Sequence, residues 1–202
     1  MYPEGMSSRG PYAKGIAKRR EILDVALEVV ARTGCRNATN KMIAETVGLS
    51  QTGLMHYFGS REDLYVEILR ARDERDAAEF VTPESGIDGF IAIISHNAQV
   101  PGLVQLYVEF SAEATIPGHP AQAFFTERLA WMRRVLVSAL RDHQVRGELG
   151  PHLDLEQAAG LLIGAADGAQ QQWLLDRTHD MEAQLRGLWR MIRQDSWQEG
   201  DR

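Results

Sequence analysis

The chain has 202 residues, 44% of them apolar and 25% charged, which is enough for one large or two small domains with a packed core and too apolar for a disordered tail. A net charge of −6 argues on average against a polyanion as partner, but the average hides an asymmetry. Up to Arg61 there are nine basic and five acidic residues, a net of +4, and beyond it thirteen basic against twenty-three acidic, a net of −10. A basic first third on an acidic remainder is the charge layout of a nucleic-acid-reading head on a body with another task.

The single cysteine, Cys35, cannot close an internal disulfide or build a zinc site that needs two or more thiolates, so no oxidising compartment is implied and the cytoplasm is the expected location. Residues 1–13 hold Pro, Gly and Ser without an apolar stretch and read as a flexible arm rather than a secretion signal. Apolar runs such as 158–166 are broken by Gly and Asp and fall short of the ~20 residues of a membrane span.

Apolar residues return every three or four positions almost throughout, and strict alternation is scarce, so the expected fold is all-α with about nine helices and no sheet. The first helix is expected from about Ile16 to Thr33, burying Ile22, Leu23, Ala26, Leu27 and Val30, with Gly34 as its stop. Its leading cations, Lys14, Lys18, Arg19 and Arg20, oppose the helix dipole, a small cost that suits a nearby anion or a solvated basic face. Thr39 is a good N-cap for a helix from Asn40 to about Val47, and Ser50 for one from Gln51 to Phe58. Two short helices joined through Gly48, Leu49 and Ser50 form the helix-turn-helix pattern. Ser60 then opens a long helix to about Phe80. Punctuation at Pro83, Gly86, Pro101, Pro117 to Pro120 and Gly147 to Pro151 divides the rest into five helices. They are expected near 87–100, 102–115, 121–146, 155–177 and 181–197.

In a helix-turn-helix the second helix presents its first turn to base edges in the major groove. Here that turn is Gln51, Thr52 and Gly53. Gln can pair bidentately with adenine, Thr can touch a thymine methyl, and Gly lets the backbone come close. Phosphate contacts are expected from Thr39, Lys41, Ser50, His56, Tyr57 and Arg61. Leu54 and Phe58, four apart, are expected in the core rather than on DNA.

Residues 34–64, with Thr39, Ile43-Ala44, Val47-Gly48-Leu49-Ser50, His56-Tyr57-Phe58 and Ser60-Arg61-Glu62-Asp63-Leu64, resemble the N-terminal domain of TetR-family transcriptional repressors. The resemblance spans about 50 residues from Lys14 to Leu64 in order and gap length. It departs at Met55, where the family commonly has Tyr, at Tyr57 for a common His, and at Arg61 for the usual Lys. A buried side chain is the expectation for Met55. The resemblance implies a three-helix DNA-binding head over 14–60 and a helical ligand-binding and dimerisation domain over 61–202. It further implies a homodimer that represses from a palindromic operator and is released by a small-molecule effector.

Small residues along 158–169 let another helix approach closely, so Leu161, Ala165, Gly168, Leu185, Leu188, Trp189 and Ile192 are the candidates for a four-helix dimer interface; an intramolecular core is the other reading. An effector pocket should be apolar with a few placed polar groups. Its candidates are His96, Gln99, Tyr107, Phe110, Trp131, Asp167, Gln170 and Trp173, with Glu113, Phe124 and Gln171 beside them.

The six histidines, at 56, 96, 119, 143, 152 and 179, include no i, i+4 pair for a metal, and no Ser/His/Asp grouping or Gly-rich phosphate loop emerges. Neither an enzyme, a cofactor nor a metal is therefore expected. A helical scaffold without DNA binding is the alternative, and it leaves the basic head without a purpose.

Overall fold

A computed structural model describes residues 11–82 and 85–195, and among these there are nine α-helices, one short 3-10 turn and no strand. Helix α1 (Pro11–Thr33) starts at Pro11 rather than Ile16. Proline is well suited to a first helical turn, where its missing N–H has no partner to lose. The supposed flexible arm is corrected accordingly: residues 11–13 belong to α1, and residues 1–10 lie outside the described residues. Helices α2 (Asn40–Thr46), α3 (Gln51–Phe58) and α4 (Arg61–Phe80) begin at the anticipated caps. The Thr39, Ser50 and Ser60 hydroxyls accept from the N–H groups of Met42, Gly53 and Asp63 at 3.1, 3.0 and 3.0 Å. Each such cap satisfies a donor the helix leaves orphaned and is worth about 1 kcal/mol.

The body comprises α5 (Gly86–His96), α6 (Pro101–Glu113), α7 (Gln122–Val145), α8 (Leu155–Leu175) and α9 (Met181–Asp195). The helix expected to reach residue 100 stops at His96 and tightens into a 3-10 turn at Asn97–Gln99. Pro101 explains the stop, because the residue before a proline is disfavoured in the helical region; Val100 sits at φ −128°, ψ 57°. Residues 196 and 197, expected to end the last helix, lie outside the described residues.

Two apolar clusters hold the chain together. The first contains Ile22, Ala26 and Val30 of α1, Ile43 and Ala44 of α2, Leu54 and Phe58 of α3 and Leu64 and Ile68 of α4. It continues without a break into Leu103, Leu106 and Phe110 of α6 and Phe124 and Phe125 of α7. The second joins α5, α7, α8 and α9 through Ile91, Leu136, Leu140, Leu162, Leu185 and Trp189. Each fully buried Leu or Ile contributes about 2 kcal/mol. Head and body therefore share one core through α4 and α6.

The end of α1 crosses the start of α6 at Gly102. A Cβ there would stand 2.0 Å from the Val30 carbonyl oxygen and 2.8 Å from that of Ala31, so only glycine permits the contact.

Candidate nucleic-acid interface and interior cleft

The first turn of α3 faces outward. Gln51, Thr52 and His56 are exposed, Gly53 and Tyr57 are half-buried, and Leu54 and Phe58 are buried on the inner side. The turn before α3 is rigidly made: Gly48 adopts φ +69°, a left-handed conformation that glycine enters without penalty, and Leu49 N–H donates to Ala44 O at 2.8 Å. Met55 is half-buried against the head core, and its sulfur accepts from Asn40 Nδ2 at 3.5 Å.

The expected phosphate contacts divide into two groups. Thr39, Lys41, Ser50 and His56 are exposed, Lys41 and Ser50 share a surface groove with Gln51, and Glu45 stands 3.8 Å from Lys41. Arg61 is instead turned into the head. Its Nη2 donates to Tyr65 Oη at 2.6 Å and to the Cys35 and Ala38 carbonyls at 3.0 and 3.4 Å, and its Nε donates to Tyr65 Oη at 3.1 Å. The expected phosphate contact from Arg61 thus competes with internal bonds: its Nη2 ties the start of α4 to the residues before α2, and its Nε bonds Tyr65 within α4. Two of the leading cations of α1 are likewise engaged internally. Lys18 donates to Val47 O at 2.8 Å, across the end of α2, and Arg19 pairs with Glu67 at 2.8 Å with its guanidinium over the Phe58 ring. Lys14 and Arg20 stay exposed.

In the body, α4, α5, α7 and α8 enclose a cleft. Its cavity volume is about 60 Å³, so the cleft is narrow. Of the effector-pocket candidates, Tyr107, Trp131, Asp167 and Gln170 line it; His96, Gln99, Phe110 and Trp173 do not. Phe110 packs edge-on against Tyr65 in the first core, and Trp173 is buried in the second under Arg177. Gln99 is exposed, and the His96 ring lies against Phe80. Aromatic and polar residues on a helical repeat fill cores and surfaces more often than pockets, and these four do so. Of their neighbours, Phe124 and Gln171 line shallower grooves alongside and Glu113 pairs with His119 at 3.4 Å.

Sequence reading named Asp167 but missed the other charges of this cleft, Arg72, Asp73, Asp76 and Arg128. Arg128 of α7 holds Asp73 of α4 through two bonds, Nε to Oδ2 at 2.7 Å and Nη2 to Oδ1 at 3.2 Å. Its Nη1 donates to Tyr107 Oη at 3.2 Å, and that hydroxyl donates to Asp167 Oδ1 at 2.7 Å. Deeper in, Arg72 Nη2 donates to Asn97 Oδ1 at 2.6 Å, and Asn97 Nδ2 donates to Gln170 Oε1 at 2.9 Å. Burial holds the carboxyls of Asp76 and Asp167 above their ordinary range and pushes the Tyr107 hydroxyl up as well. The available signal was the i, i+4 pair Arg72–Asp76 on an otherwise apolar face of α4.

The dimerisation candidates also divide. Leu185, Trp189 and Ile192 are buried in the second core of their own chain, which corrects their assignment to an interface, since α9 needs that face to close over α5 and α8. Leu161 is 54% exposed, and Ala165, Gly168 and Leu188 are half-buried. Ala165 and Leu188 pack against the second core, whereas Gly164, Leu175 and Met191 are exposed like Leu161, and nothing lies within 4 Å of where a Cβ on Gly164 would be.

An exposed α3 on a capped helix-turn-helix, joined by a long helix to a body with its own cleft, is the architecture of a helix-turn-helix transcriptional regulator. The sequence model of the tetR family of bacterial regulatory proteins matches residues 22–68. The chain is 28% identical over 154 residues to the HTH-type transcriptional regulator UidR of Escherichia coli K12, covering 74% of this chain and 78% of that one. It is 26% identical to the HTH-type transcriptional repressor AcnR of Corynebacterium jeikeium over 76% of this chain and 80% of that one. The solved structure of Salmonella enterica GusR superimposes with a TM-score of 0.66 at 25% identity, covering 88% of this chain and 96% of that one. Residues 22–68 thus match the DNA-binding domain of the tetR family, the chain is similar over most of its length to transcriptional regulators, and the relatives it matches are named as regulators rather than enzymes. No helix among the described residues is long and apolar enough to cross a membrane.

Proposed function

We propose that the protein is a homodimeric repressor that binds a palindromic operator through α3 and lets go when a small molecule occupies the cleft. The observation that carries this reading is the span of α4. Its first half supplies Leu64 and Ile68 to the core beneath the reading helix, and its second half supplies Arg72, Asp73 and Asp76 to the cleft. A ligand with different affinity for two positions of α4 shifts the head by that difference. Gln51, Thr52 and Gly53 read bases. Thr39, Lys41, Ser50, His56 and Tyr57 hold phosphates, and residues 14–60 act as the head and 61–202 as the body.

The exposed Leu161, Gly164 and Leu175 at helical spacing on α8, and the exposed Met191 on α9, support pairing of two copies, because exposed apolar and small residues allow close helix approach. Repression agrees with the printed name of AcnR. The protein acts in the cytoplasm, where its DNA is. Selection of bound sequences from random duplex DNA tests the whole: the expected product is an inverted repeat whose affinity falls steeply with salt. Recovery of no preferred duplex, or a flat salt response, rejects it in favour of a helical scaffold.

A further inference from the structure

The Arg72 side chain is 4% exposed, in the floor of the cleft. Among the described residues its Nη2 alone has a well-aligned hydrogen-bond partner; Nη1 has none there, and Nε stands 3.3 Å from Asp76 Oδ2 in an ion pair that is poorly aligned. Buried donors are nearly always satisfied, and one that is not marks a place where an acceptor belongs. The charges facing the cleft say which kind. Arg72 stands beside Asp76 and Arg128 beside Asp73, and Asp167 remains as a surplus carboxylate. An added anion meets a site that already carries excess negative charge, and an added cation must sit against two guanidinium groups. A neutral oxygen satisfies the donor and leaves the charge balance as it is. Tyr107, Asn97 and Gln170 also line the cleft and are hydrogen-bonded within its wall, and Phe90, Ile94, Leu136, Trp131 and Val135 add an apolar surface.

We propose, on the reading of this cleft as the effector site, that the effector is an uncharged small molecule whose carbonyl or hydroxyl oxygen accepts from Arg72 while its apolar part lies along Phe90, Ile94 and Leu136. The cleft is narrow, so binding parts α4 from α7 and strains the Arg128–Asp73 link.

Three probes of one shape and three charges test this on the full chain: phenylacetamide, phenylacetate and phenethylammonium, titrated by calorimetry near neutral pH. The amide is expected to bind at least tenfold tighter than the other two. In the charge-neutral double variant Arg72→Met/Asp76→Asn its affinity should fall at least tenfold while helicity is retained. Tightest binding of the carboxylate or of the ammonium overturns the proposal, as does failure of all three to saturate, or amide binding that survives the double variant. If that variant does not fold, the rank order on the unaltered chain decides. Binding of the selected duplex by the unliganded protein is measured in parallel. Intact duplex binding with the wrong probe order defeats the ligand class alone, whereas lost duplex binding defeats the regulator reading.

Discussion

Arg128 and Asp73 face each other as planar fork and carboxylate, 2.7 and 3.2 Å apart, with side-chain exposures of 12% and 22%. This is the direct polar link between α7 of the body and α4. Removing one partner strands the other charge in a largely dry site, so Asp73→Ala should cost roughly 3 kcal/mol. Asp73→Leu combined with Arg128→Met should recover much of that, and urea unfolding of the three variants checks both. Equal losses for single and double variants would show that the link carries no coupling.

Gly102→Ala places a methyl group against the backbone of Val30 and Ala31, and backbone cannot step aside as a flexible side chain can. The crossing must open, at a cost of about 1–3 kcal/mol. Because α1 belongs to the head, duplex affinity should change along with stability. A melting curve and duplex affinity both unchanged from wild type would mean that the crossing is not rigid.

Gln51→Ala and Lys41→Ala separate reading from holding. The first should erode preference at one base position by about 1–3 kcal/mol. The second should weaken every sequence alike and reduce the slope of log affinity against log salt by about 1. Identical sequence profiles for the two variants would overturn the assignment.

Leu161→Glu with Met191→Glu puts charge on exposed apolar positions of α8 and α9 without touching either core. If the wild type sediments as the proposed dimer at micromolar concentration, the double variant should sediment as a monomer with helicity unaltered. Dimers that persist place the contact elsewhere.

Asp167 gives a pH signature. Burial holds its folded pKa above the ordinary 3.8, so the folded state binds more protons than the unfolded one as pH rises from about 4, and stability falls across that window. Asp167→Asn removes the ionisation and can keep an acceptor for Tyr107. Relative to wild type, the variant should gain stability between pH 4 and pH 7 in denaturant titrations at the two values; a pH-independent difference would contradict the raised pKa.

The helix starts at Asn40, Gln51 and Arg61 were legible because Thr39, Ser50 and Ser60 leave a local signal that tertiary contacts do not alter. The exposure of Gln51 was legible for the same reason, since the spacing of Leu54 and Phe58 fixes which face turns inward. What could not be read were interactions of long sequence separation. Arg61 bonds to Cys35 and Lys18 to Val47, and neither periodicity nor composition reveals that such a cation has an internal acceptor. Likewise Leu185 and Trp189 satisfy one apolar pattern whether they meet α5 of their own chain or a second copy. Asn97 was hidden because its value lies in two neighbours, Arg72 and Gln170, that are 25 and 73 positions away.

Gln170 sits on the inner side of α8, the helix whose outer side carries Leu161 and Leu175. When two copies meet through that outer side, a single wall separates the two cavities from the two-fold axis. Displacing Gln170 in one subunit then perturbs the shared wall for its twin, so occupancy should rise with a Hill coefficient different from one, and gene output should follow effector concentration as a threshold or a damped response rather than a simple hyperbola.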